Sequence, residues 1–281
     1  VQAMFYVHGL EAVTGAVNVV ATAPGFVTGT LPVEVQQPGV GASALPNTTT
    51  LSANSVVGAR VGLVAGGNVY PLQEVRPGGV PLVVTISNSN AAVAQLVSSS
   101  ASGQVLATVI EPGNYFSPYT METGAVLLDP LAAGITTLTA SIPGFISVSG
   151  EMPTVTITAP NIFHNFIGAR IGGGQEIASY AILGASEHGG VTLHIESADP
   201  AVMVLAPDSA TLGIGSIDLF VPNGENRADY VIKGQPGALG TVGFTASAPG
   251  FNDGVASVVI VEPVIRLSLP DTTTTLSANS W

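Results

Sequence analysis

The chain has 281 residues, 46% of them hydrophobic and 9% charged, so its exposed faces have to be built from Ser, Thr, Asn and Gly rather than from ions. Eighteen acidic side chains against 6 basic ones leave a net charge of −12, which disfavours nucleic acid, whose phosphates demand a basic patch. No apolar run is long enough to cross a bilayer, and with no cysteine every domain must hold by core packing alone.

Residues 1–40 read as the C-terminal half of a repeat whose beginning lies outside the chain. Phe5-Tyr6-Val7-His8-Gly9-Leu10 predicts a strand and turn, Val17 to Ala23 a second strand and Leu31 to Val35 a third. Between the last two lies Ala23-Pro24-Gly25-Phe26. Pro pre-sets the second position of a β-turn and Gly takes the positive φ of the third, as in a type II turn. The same signal returns as Ile142-Pro143-Gly144-Phe145 and Ala248-Pro249-Gly250-Phe251. A turn recurring about every 110 residues marks tandem units.

The first complete unit is read as residues 41–158. Residues 41–50 form a linker or first edge strand. Leu82, Val84 and Ile86 alternate, as do Leu138, Ala140 and Ile142, which is the mark of strands with one buried face. The second unit is read as 159–263. Val191, Leu193 and Ile195 repeat the pattern, followed by Ile217, Leu219 and Val221, and by Val242, Phe244 and Ala246. Gly58-Ala59-Arg60 recurs as Gly168-Ala169-Arg170, placing Arg60 and Arg170 at one repeat position, as a bridge to a neighbouring domain or as an edge charge against sheet pairing. Residues 264–281 read as the start of a further repeat, because Thr272 to Ser280 restate the Thr48 to Ser55 segment.

No helix is predicted. About seven short strands per unit, with turn signals every 8–12 residues, give an all-β chain of tandem immunoglobulin-like β-sandwich domains. In each hairpin the Phe after Pro-Gly is expected to cap the core.

With Gly189-Gly190-Val191, Ser197-Ala198-Asp199-Pro200-Ala201-Val202 and Ala248-Pro249-Gly250-Phe251, the chain resembles the bacterial Ig-like repeats of large exported proteins. The resemblance covers residues 41–263 twice over and 1–40 by its second half. It implies an extracellular or cell-surface location in a bacterium, tandem stacking, and a role as stalk, fibre or adhesin, with no shared active site. The first unit departs from the pattern, with Asn90-Ala91 where the second has Asp199-Pro200 and extra residues between Pro112 and Pro143.

Few residues suggest chemistry. Tyr115, Phe116 and Tyr119, on the expected loop 114–119, are suited to stacking on sugar rings or on a neighbouring subunit. Glu196, Asp199, Asp208 and Asp218 could supply oxygens to Ca²⁺, but no DxDxD-type loop exists and the first unit has Ser87 and Asn90 at the places of Glu196 and Asp199. No cofactor is therefore expected. His8, His164, His188 and His194 lack ligand spacing and read as surface or packing residues. Ile171-Gly172-Gly173-Gly174 is no phosphate loop, and no Gly-x-Ser-x-Gly elbow is present, so the chain reads as non-enzymatic.

Two function classes stay open. One is a structural fibre, filament or stalk whose partners are other copies or neighbouring Ig-like domains. The other is an adhesin module that binds glycan or a surface protein through loop 114–119.

Overall fold

The computed structural model describes residues 4–10, 13–165 and 168–265, so the expected start of a further repeat from Thr272 lies outside the described residues. The chain divides into two compact units, residues 1–159 and 160–281. Among the described residues the regular elements are strands, apart from two single turns of 3₁₀ helix at Met121–Thr123 and Ser149–Glu151.

Unit one opens with a hairpin of β1 (Gly15–Ala21) and β2 (Gly29–Val35), paired antiparallel from Gly15↔Val35 to Ala21↔Gly29. Phe5 to Leu10, expected as a strand, forms no regular element. Then follow β3 (Gly39–Ala42), β4 (Thr48–Thr49), β5 (Ser55–Val56), β6 (Ala59–Ala65), β7 (Asn68–Leu72), β8 (Leu82–Asn88) and β9 (Ala94–Val97). After them come β10 (Ser102–Gly103), β11 (Val105–Ile110), β12 (Leu127–Pro130), β13 (Gly134–Ser141), β14 (Ile146–Ser147) and β15 (Thr154–Thr158). Unit two holds β16 (Ile162–His164), β17 (Ala169–Gly172), β18 (Glu176–Leu183), β19 (Val191–Ser197), β20 (Met203–Ala206), β21 (Ser216–Val221), β22 (Arg227–Gly234), β23 (Gly240–Ser247) and β24 (Gly254–Val261).

In unit two the sheets run β16-β18-β22-β20 and β17-β24-β23-β19-β21. In unit one β11-β8-β13-β15-β4 is the counterpart of the second of these, strand for strand, including a parallel edge strand: Thr48 pairs with Ile157 as Ala169 pairs with Val258. The opposite layer of unit one is built from β10-β9-β12-β5 and β14-β3-β6-β7. Each unit thus carries a β-sandwich. In the first, Gly39–Ala42, which straddles the expected start at 41, pairs with β6. The second has nine strands rather than about seven, since the short edge strands do not alternate over enough residues to read as strands.

Alternation explains the cores. Val84, Ile86, Leu138, Ala140, Val155 and Ile157 face inward in the first sandwich, against Val57, Leu96, Val126 and Leu128. Leu193, Ile195, Phe244, Ala246, Val258 and Ile260 do so in the second. Burying each Val, Leu, Ile or Phe side chain among these contributes about 1.5–3 kcal/mol.

All three Pro-Gly turns form as read. Gly25, Gly144 and Gly250 take φ of 79°, 83° and 83°, and the following Phe N–H donates to the carbonyl of Ala23, Ile142 or Ala248 at 3.1 Å. The capping role holds for two of them. Phe145 packs against the first core and Phe251 is 9% exposed, whereas Phe26 is 79% exposed at the tip of the hairpin. In the second copy the turn does not lead straight into its partner strand. The chain first passes through β14, parallel to β3, and through the 3₁₀ turn that carries Glu151.

The turn after β8 and β19 shows how two sequences reach one geometry. Asn90 accepts from the Ala92 N–H at 3.2 Å through its side-chain oxygen, and Asp199 accepts from the Ala201 N–H at 3.0 Å. Asn90-Ala91 and Asp199-Pro200 are therefore the same side-chain-supported turn.

Candidate binding site

The strand of the first sandwich that corresponds to β22 is broken. Residues 115–117 pair with the start of β6: the Val61 N–H donates to Tyr115 O at 3.0 Å and the Ser117 N–H to Ala59 O at 2.9 Å. Residues 118–125 then leave the sheet, and the chain returns with the Val57 N–H bonded to Val126 O at 2.8 Å. The expected loop 114–119 is thus in part a paired sheet segment. Its pairing partners, Ala59 and Val61, are remote in sequence, so no local signal marks it as a sheet segment.

That break creates a cleft of about 720 Å³, lined among others by Tyr115, Phe116, Tyr119, Glu74, Glu111 and Asn114. The Tyr115 and Phe116 ring centroids lie 4.8 Å apart and those of Phe116 and Tyr119 6.0 Å apart, with planes tilted by 53° and 55°. Tyr115 leans on the core, whereas Tyr119 is 59% exposed. The walls are fixed by backbone hydrogen bonds: the Val75 N–H donates to Asn114 O at 2.9 Å and the Gly113 N–H to Val75 O at 2.8 Å. The buried Ser117 hydroxyl accepts from the Ala59 N–H at 2.9 Å. All three aromatics line this one cleft. Glu74 and Glu111 were not singled out, although Glu111 stands directly before the Pro112-Gly113 turn.

Arg60 and Arg170 do not share a structural position. Arg60 lies on β6, paired to β3, while Arg170 lies exposed on β17, paired in parallel to β24. The strand equivalent to β17 is β4, so the recurring Gly-Ala-Arg triplet is a coincidence of spacing. Arg60 forms a bidentate pair with Glu151, Nε to Oε2 at 2.6 Å and Nη2 to Oε1 at 2.7 Å. Glu151 is 1% exposed and Arg60 35%. Burial pushes the Glu151 carboxyl up, but the Arg60 hydrogen bond, the Val69 N–H at 3.0 Å and the Arg60 charge outweigh it and hold the group below its ordinary range. The close approach needs Gly41, where a Cβ would stand 2.5 Å from Glu151 Cβ.

In the second sandwich His164 is buried between Tyr230 and Phe244, with its ring centroid 4.6 Å from that of Phe244. His164 Nε2 lies 3.2 Å from the Gly254 carbonyl, which can only accept, so Nε2 carries the proton and Nδ1 accepts from the Tyr230 hydroxyl at 2.8 Å. Burial pushes the His164 imidazole down, against the Gly254 hydrogen bond, and pushes the Tyr230 phenol up to about 12. The network is a packing device. His188 and His194 are tied to the Glu225 carbonyl and to Asp218.

Three of the four carboxylates considered for Ca²⁺ are engaged elsewhere. Asp199 supports its turn, Asp208 accepts from the Thr211 N–H at 2.7 Å, and Asp218 pairs with His194 at 2.7 Å. Among the described residues no three His, Cys, Asp or Glu come together to hold a metal ion, and no helix is long and apolar enough to cross a membrane.

No family model and no curated protein matches the chain. Among solved structures the chain is similar to the Yersinia pseudotuberculosis adhesin InvE, at 13% identity over 84% of this chain and 61% of that one, with a TM-score of 0.30. It is similar to the S-layer protein rSbsC(31-844) at 14% identity over 91% of this chain and 33% of that one, with a TM-score of 0.35. A third is a beta-glycosidase from Bacteroides vulgatus, at 11% identity over 80% of this chain and 25% of that one, with a TM-score of 0.27. All three likenesses are remote.

Proposed function

We propose that the chain is a non-enzymatic segment of a bacterial cell-surface fibre, filament or stalk built from immunoglobulin-like sandwiches. The observation that carries this reading is repetition. Both units have a five-stranded sheet of one strand order, the same turn after β8 and β19, and a Pro-Gly-Phe turn after β13 and β23. The layer β16-β18-β22-β20 against β24-β23-β19 follows the two-sheet order of an immunoglobulin constant-type domain. Such units each bury their own core, and an array of them gains length by copy number. The hairpin β1-β2, closed by the same turn, is read as the matching half of a further unit. Few charges and no cysteine suit an exported bacterial protein.

The cleft at Tyr115, Phe116 and Tyr119 favours a second reading, an adhesive module that uses this surface to hold a glycan or a surface protein. Replacing the three aromatics by Ala separates the two. A fibre contact loses assembly in sedimentation and electron microscopy, whereas an adhesin keeps its assembly and loses attachment of cells that display it.

A further inference from the structure

We propose that the cleft of the first sandwich is a subsite for a neutral saccharide, an inference that rests on the adhesive reading and names its ligand. The three rings form one contiguous cluster, with successive centroids 4.8 and 6.0 Å apart and planes tilted by 53° and 55°. Tyr119, the exposed ring at the end of that cluster, offers a face on which the C–H face of a pyranose can lie. Glu74, Glu111 and Asn114 line the same cleft and supply acceptors for sugar hydroxyls.

Charge sets the class. Two carboxylates in the wall, on a chain of net charge −12, repel sialylated, uronic or sulfated sugars, so that among saccharides the neutral ones are left. Rigidity supplies affinity. Residues 113–117 are clamped by hydrogen bonds of 2.8–3.0 Å to Val75, Ala59 and Val61, so the backbone under Tyr115 and Phe116 needs little ordering on binding.

The test is the full chain on an array of neutral hexose and N-acetylhexosamine oligosaccharides, beside sialylated, sulfated and phosphocholine-bearing spots. Retention on neutral spots is expected, weakened at least tenfold by Tyr119→Ala and less by Glu111→Gln. Tyr70→Ala, which removes another exposed ring of the same sandwich, leaves retention unchanged. Tyr119 is exposed enough that its loss spares the fold, which circular dichroism checks. Retention on no spot, on acidic or phosphocholine spots alone, or undiminished by Tyr119→Ala overturns the inference. If the neutral array is blank but Tyr119→Ala still abolishes cell attachment, the ligand class fails and the adhesive reading stands. If attachment is unchanged, both fail.

Discussion

The two sandwiches fill one place in the fold with different chemistry. The pairing registers align Ala42, Val57, Val126 and Leu138 of the first with His164, Ser179, Tyr230 and Phe244 of the second. All eight are buried. The first sandwich is aliphatic there and places its buried charge at the edge, as Arg60–Glu151. The second places a hydrogen-bonded imidazole and phenol at the centre. Strand order survives this exchange because it is set by alternation and register, which neither set of side chains disturbs. What differs is the dependence of each unit on polar pairing, and hence on pH.

The largest effect that would break the comparison is Phe244→Ala, which removes the ring on which His164 and Tyr230 rest. A loss of about 3–5 kcal/mol is expected in the second sandwich. Peptide-resolved hydrogen exchange should show it there and leave Ile86 and Leu138 peptides protected. Arg60→Ala is next. It strands Glu151 in the interior of the first sandwich, at about 3 kcal/mol, with the second unaffected. Lys at this position keeps the charge but loses the two-pronged geometry, so recovery should be partial.

Acid separates the sandwiches. The folded His164 titrates below its ordinary value of 6.5, so between the two values the unfolded chain binds the extra proton. Its stabilising contribution is complete above about pH 6.5 and declines as pH falls below it. The second sandwich should therefore lose protection as pH falls below about 6.5, and His164→Gln should flatten that slope. Glu151 works lower. Its folded value lies below the ordinary 4.5, so its contribution is complete above that point and is lost as pH falls through the folded value. Melting followed at pH 7, 5.5 and 4 should show the second unit yielding first. The smallest effect is Gly250→Ala, where a side chain is forced to φ of 83°. A cost of about 1–2 kcal/mol is expected, read as a lower melting temperature.

Much of this architecture was legible in the sequence because it rests on local rules. Period-two runs such as Val191-Leu193-Ile195 and the Pro-Gly turns specify strands and hairpins without reference to the rest of the chain. The parts that were not legible depend on distant pairing. Nothing near Glu151 marks it as the partner of Arg60, which lies far earlier in the chain. Nothing near Tyr115 says that it pairs with Val61 and so opens a cleft instead of waving on a loop. Gly-Ala-Arg misled because a match at the repeat spacing was taken for a match of strands, whereas the first unit holds β6 beside β3 and gives the β17 position to Thr48–Thr49. The three aromatics were visible as a cluster, but the acidic residues around them became neighbours only through the fold.

The measurement that tests the central reading most directly is immunogold electron microscopy on the native cells, with antibodies raised against the second sandwich. Label on the cell surface, along filaments or an ordered layer whose repeat matches a small number of sandwich lengths, is the result predicted. Label confined to the cell interior would contradict it.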